Sequence, residues 1–190
     1  MIFYHIDRTS SLLPNQKMIE PFHAQDNLLF GSVFDSLSSH GNNYFRYLGV
    51  PDLNRDIEIT LEYIRAYRYS QYPSRFQSLF ASRSLQEALF WTKYHPADRP
   101  LNLITIETDK FNFFDCSWIT PQDGMLDGLN IKSLCRPFSL GAMCDIADCY
   151  WSKKQTKKPI IEVLIPLPCK IIKIDHFDSV SQLYKNFGLF

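Results

Sequence analysis

Residues 75–91, RFQSLFASRSLQEALFW, change their hydrophobic period midway. In the first half Phe76, Ser78 and Phe80 fall on one face of an extended segment, with Gln77, Leu79 and Ala81 on the other. In the second half Leu85, Ala88, Leu89 and Trp91 recur at helical spacing. Ser84 and Glu87 between them have the spacing of a capping box, in which each side chain satisfies a backbone N–H at the start of a helix. A strand that passes through a small-residue turn straight into a helix restricts the fold. The strand needs partners in a sheet, and the helix needs an apolar surface to cover.

Other runs supply those partners. Residues 2–7, 101–107, 111–118, 160–165 and 169–174 read as strands. Helical spacing marks 52–69, where Leu53, Ile57, Leu61 and Ile64 form the apolar face and Arg55, Asp56, Glu58 and Glu62 take the other side. It also marks 138–151 and 179–187. Residues 9–43 are rich in turn-forming types and are expected to be irregular, as is a connection over 120–136. Strands early, midway and late, with helices between, predict an α+β fold with a mixed or antiparallel sheet.

The length of 190 residues predicts a single domain over 1–190, and the 45% hydrophobic content excludes a disordered chain. A formal net charge of zero does not favour a nucleic-acid partner, because phosphate backbones select basic faces. No apolar run reaches the ~18 residues of a membrane span. The opening MIFYHIDR turns charged at once, so no secretory signal is expected. Five cysteines without a Cys-x-x-Cys pair predict free thiols in a reducing, cytoplasmic compartment and no structural metal. No glycine-rich turn follows a strand, so neither a dinucleotide fingerprint nor a phosphate loop is present.

Three segments offer chemistry. The first is Phe3-Tyr4-His5-Ile6-Asp7-Arg8, with a histidine inside a strand. The second is the strand holding Ser78 and Phe80-Ala81. The third is Tyr150-Trp151-Ser152, a basic turn, and a strand in which Glu162 stands alone among isoleucines, valine and leucine. An ionised carboxylate in such a run costs several kcal/mol unless it is exposed, paired or functional.

Taken in this order, the segments resemble the ADP-ribosyltransferase superfamily, in its diphtheria-toxin-like branch marked by histidine, tyrosine and glutamate. The resemblance implies a split sheet with flanking helices and NAD+ as substrate, with no metal. It implies that His5 binds a ribose hydroxyl and that the backbone of Ile6 grips the nicotinamide amide. Ser78 would face the nicotinamide ribose. Phe80 would match the family's Phe-Ala step, and Phe90 or Trp91 would be its second aromatic. Arg8 or Arg75 would reach the diphosphate, and Glu162 would be catalytic. Leu79 stands where the family's stacking tyrosine is expected, and Ile6 where it has glycine. The Tyr-Trp-Ser turn is similar to that of effector-type bacterial members.

The activity implied is transfer of ADP-ribose from NAD+ to a side chain of an acceptor protein, such as a host enzyme reached through a specialised secretion system. Arginine is the first expectation for the acceptor, although Ile160 stands where arginine-specific members often carry a second acid or amide. Two alternatives remain open. One is an NAD glycohydrolase on the same fold. The other is a degenerate protein-binding module, for which Ile6 and Leu79 argue. The loop Ser38-Ser39-His40-Gly41 is a further candidate for binding.

Overall fold

A computed structural model describes residues 1–9, 12–13, 15–23, 36–45, 53–94, 98–119 and 136–188. In chain order its elements are β1 (Ile2–Asp7), β2 (Met18–Ile19), β3 (Phe22–His23), β4 (Ser36–Leu37), α1 (Ser39–Phe45), α2 (Leu53–Arg68), β5 (Ser78–Ala81), α3 (Leu85–Phe90), β6 (Leu101–Glu107), β7 (Asn112–Asp115), α4 (Arg136–Trp151), β8 (Ile161–Pro166), β9 (Cys169–Phe177) and α5 (Val180–Asn186). The described residues therefore form an α+β fold, and every strand pair among them is antiparallel.

Two sheets carry the architecture. One has the order β1-β6-β9-β2, the other β5-β8-β7, and β3 and β4 form a separate pair. Among the described residues, one isolated backbone bridge joins the two sheets. Tyr4 donates its N–H to the Ser82 carbonyl at 3.0 Å, and Ser82 returns a bond to Tyr4 at 2.8 Å. The arrangement is thus a split sheet, hinged where β5 ends.

Alternation along each strand sorts the core into layers. Phe3, Ile104, Ile106 and Ile171 of the first sheet pack against Leu79, Ala81, Val163 and Ile165 of the second. Ile6, Leu101 and Leu103 take the opposite face of the first sheet, under Ala88 and Leu89 of α3 and Val180 and Leu183 of α5. Leu164 and Phe114 take the outer face of the second sheet, under Leu61 and Ile64 of α2 and Ala147, Tyr150 and Trp151 of α4. The Trp151 indole fixes α4 to α2 by donating to the Leu61 carbonyl at 2.8 Å. The strand faces expected around Glu162 are realised, as is the division between Phe80 and Leu79 with Ala81.

Several expectations need correction. The strand in 75–91 begins only at Ser78. Arg75–Gln77 is a 3₁₀ turn capped by Ser74, whose hydroxyl accepts from the Phe76 N–H. Residues 111–118 divide into β7 and a 3₁₀ turn, Cys116–Trp118, because Asp115 accepts from Ser117 N–H and turns the chain. The described residues of 9–43 include three two-residue strands and the start of α1, all too short to show a period. The connection over 120–135 lies outside the described residues. Glu58 does not face solvent but is buried.

One glycine is fixed by a close approach. A Cβ on Gly41 would stand 2.3 Å from the Phe76 carbonyl oxygen, a backbone atom that cannot step aside. The same carbonyl accepts from Ser38 N–H at 2.7 Å, and Ser38 Oγ accepts from Gly41 N–H at 3.1 Å. Gly41→Ala is expected to cost about 1–3 kcal/mol and to lower Tm by roughly 5 °C, measured by thermal melting. Gly141 is the control: nothing lies within 4 Å of its Cβ position inside α4. Gly141→Ala should raise stability by about 0.5–1 kcal/mol through backbone entropy.

Candidate active site

A cleft of about 790 Å³ opens where the sheets part. This volume falls in the range of small-molecule sites, roughly 300–1,000 Å³. Its walls come from β1, the start of α1, β5 and the strand bearing Glu162. His5, Ile6, Arg8, Ser78, Phe80 and Glu162 all line it. Residues separated by up to 157 positions in the sequence thus share one cavity. Phe90 does not line it, whereas Trp91 does. The Phe90 ring packs edge-on against Trp91 at 5.3 Å and lies under the Lys93 ammonium at 3.6 Å. Of the two aromatics considered, only Trp91 meets the cleft.

β1 and β5 are locked together at the site. His5 Nδ1 donates to the Phe80 carbonyl at 2.6 Å. A carbonyl only accepts, so Nδ1 carries the proton, and Nε2 is the acceptor of the neutral ring. Burial holds His5 below its ordinary value of 6.5, and the Phe80 carbonyl offsets this only in part. Asp7 terminates β1 and shapes the following turn by accepting from Thr9 N–H and Oγ and from Leu12 N–H. Burial opposes the Asp7 charge, but those bonds outweigh it and leave its carboxyl lowered. The Ser78 hydroxyl is spent on the Ser74 carbonyl at 2.6 Å, so toward a ligand it has lone pairs but no proton to offer.

The floor is a buried ionic cluster. Glu58, Arg75 and Glu162 are 5%, 4% and 6% exposed. Arg75 presents a two-pronged edge to Glu58, with Nε to Oε2 and Nη2 to Oε1 both at 2.8 Å. Its remaining nitrogen, Nη1, donates to Glu162 Oε1 and to the Tyr150 hydroxyl at 2.7 Å. Tyr150 in turn donates to the same Glu162 oxygen. The guanidinium also lies 4.6 Å from the centre of the Phe80 ring. His40 closes the cluster, its Nε2 3.3 Å from Glu58 Oε1 and its ring 4.3 Å from Phe80.

The electrostatics follow from this packing. Burial alone would raise the Glu58 carboxyl, yet the Arg75 charge and then His40 overcome it and hold Glu58 far below its ordinary value of 4.5. Burial works against the Arg75 charge, but Glu162 and Glu58 push it well above the ordinary arginine value. Burial raises the Tyr150 phenol; Arg75 opposes this and Glu162 reinforces it, leaving Tyr150 a neutral donor.

These shifts predict acid lability. Glu58 and Asp7 have folded values below their unfolded ones, so their stabilisation is complete above pH ~4.5 and is lost as pH falls through the folded values. The lowered value of His5 acts earlier, because below pH ~6.5 the unfolded chain binds a proton that the folded ring resists. Urea melts from pH 8 to pH 3 should show a shallow decline beginning near pH 6.5 and a steep one below 4.5.

Sequence reasoning missed Glu58 as an inward group and the convergence of Arg75 and Tyr150 on Glu162. A glutamate among Arg55, Asp56 and Glu62 reads as part of a solvated face. Among the described residues no group of three or more His, Cys, Asp and Glu has an arrangement that would hold a metal ion. No helix there is long and apolar enough to cross a membrane. The family model of DUF2441, a family of proteins of unknown function, matches residues 52–177. The chain belongs to this family. The DUF2441 span carries Glu58, Arg75, Ser78, Tyr150 and Glu162, while β1 with His5 and the α1 start with His40 lie before it. No curated protein matches the sequence.

Proposed function

We propose that this chain is an NAD+-dependent ADP-ribosyltransferase that moves ADP-ribose to a side chain of an acceptor protein and releases nicotinamide. The observation that carries this reading is the convergence of His5, the Ser78–Ala81 strand and Glu162 on one cleft. These are the three segments on which the resemblance to the ADP-ribosyltransferase superfamily rests, and the split antiparallel sheet supports it.

The chemistry assigns each group a task. Breaking the nicotinamide–ribose bond sends the bonding electrons to the nicotinamide nitrogen and leaves positive charge on the ribose. Glu162, a carboxylate fixed in place by Arg75 and Tyr150, stabilises that charge electrostatically. The acceptor atom attacks the ribose carbon and gives up its proton to solvent. His5 Nε2 accepts from a ribose hydroxyl, and the Ile6 backbone holds the nicotinamide amide. Ser78 and Phe80 form the wall behind the ribose, and Arg8 meets the diphosphate. Trp91 takes the aromatic role in place of Phe90. Arg75 is committed to two carboxylates and is not the diphosphate ligand.

The test is incubation with NAD+ labelled in its adenylate moiety, alone and with a eukaryotic cell lysate. Nicotinamide release with a labelled protein band supports transfer. Release of free ADP-ribose with no labelled band supports the glycohydrolase alternative. NAD+ left intact under both conditions, with no shift in Tm on adding NAD+, overturns the reading and favours a binding module.

A further inference from the structure

We infer that Glu58 is a positioning residue for Glu162, acting through the arginine the two carboxylates share. Its kinetic part rests on the NAD-cleaving reading above; its electrostatic part does not.

The geometry poses a problem that Glu58 solves. Glu162 is buried and needs a partner, yet a carboxylate neutralised by a private arginine has little field left for a cationic ribose. Arg75 is not private. Its Nε–Nη2 edge is taken by both oxygens of Glu58, and only Nη1 reaches Glu162. The guanidinium is thus shared between two buried carboxylates, on two of its edges. His40 stands on the other side of Glu58, with Nε2 3.3 Å from Oε1.

The contacts also direct that charge. Both bonds to Glu162, from Arg75 and from Tyr150, end on Oε1. Among the described residues no hydrogen bond reaches Oε2, and Glu162 lines the cleft. Arg75 and Tyr150 therefore orient the carboxylate through one oxygen, while Glu58 keeps Arg75 from cancelling its charge.

The experiment compares wild type with Glu58→Gln, Glu162→Gln and the double variant, in two measurements. In kinetics of nicotinamide release, Glu58→Gln should lower kcat roughly 10- to 100-fold, with KM for NAD+ within about threefold, and Glu58→Asp should recover part of the loss. A purely structural role would move KM and Tm together and would not yield to the conservative variant. In thermal melting, each single variant leaves Arg75 one carboxylate, whereas the double variant strands a buried guanidinium. The drop in Tm of the double variant should therefore exceed the sum of the two single drops. Additive drops, or a Glu58→Gln enzyme with undiminished kcat, overturn the proposal. A wild-type protein that does not cleave NAD+ overturns the functional reading instead, and the melting comparison then decides the role of Glu58 alone.

Discussion

Exchanging Glu162 for glutamine is expected to slow nicotinamide release at least a hundredfold while leaving Tm within a few degrees of wild type. The two halves of this expectation come from different parts of the site. Removing one preorganised group that stabilises transition-state charge costs about 10²–10³ in rate. Glutamine keeps the shape and an acceptor oxygen for Arg75 Nη1 and the Tyr150 hydroxyl, so it loses the charge and not the bonds. The fold is spared because Arg75 retains its two-pronged pairing with Glu58. β8 is also held on both sides, by β5 and β7. The measurement is single-turnover release of nicotinamide at saturating NAD+, beside a thermal melt of the same preparation. Release at the wild-type rate from a folded Glu162→Gln protein would remove Glu162 from the reaction.

That glutamate was legible in the sequence because it broke a rule. An acid inside the run Ile160–Ile165 has no cheap position, and the alternation placed it with Leu164 against Val163 and Ile165. The structure keeps that division, with Val163 and Ile165 facing the other sheet and Leu164 facing α2 and α4. β1, β6 and β9 were legible for a similar reason: each is at least six residues long, enough for period two to emerge. Glu58 was hidden because helical charge patterns look alike whether the charge meets water or a buried partner. Its partner lies on a 3₁₀ turn 17 residues on, and nothing in local spacing connects them. Tyr150 was visible on the helical run 138–151 and in the Tyr-Trp-Ser segment, but not as a partner of Glu162; its hydroxyl reaches Glu162 from α4, which Trp151 ties to α2. Phe90 and Trp91 are adjacent, and the helical spacing that groups Trp91 with Ala88 does not say that this face borders the cleft. The helix ends at Phe90, so the change to a 3₁₀ turn at Trp91 decides it.

Replacing Arg75 by methionine is expected to destabilise the protein by about 3–5 kcal/mol, the cost of breaking a buried ion pair by removing one partner. For a chain of this size that corresponds to a fall in Tm of roughly 10 °C. The loss comes from stranded charge. Methionine fills much of the volume beside Phe80 and Tyr150, so packing loss is small. What remains is Glu58 and Glu162, both buried, facing a space that no longer holds a cation. Each must then ionise against desolvation and against the other, or take up a proton. The held-down carboxyl of Glu58 should rise, and the acid limb of the stability profile should move toward neutral pH. Arg75→Lys should recover only part of the loss, because one ammonium cannot bond both oxygens of Glu58 and also reach Glu162. The decisive comparison adds Glu58→Met and Glu162→Met to Arg75→Met. If stranded charge is the cause, the triple variant regains much of the stability lost by the single one, since an apolar cluster of similar volume carries no desolvation cost. A triple variant that melts below Arg75→Met would instead locate the loss in packing, and would separate the ionic floor of the cleft from the stability of the sheet above it.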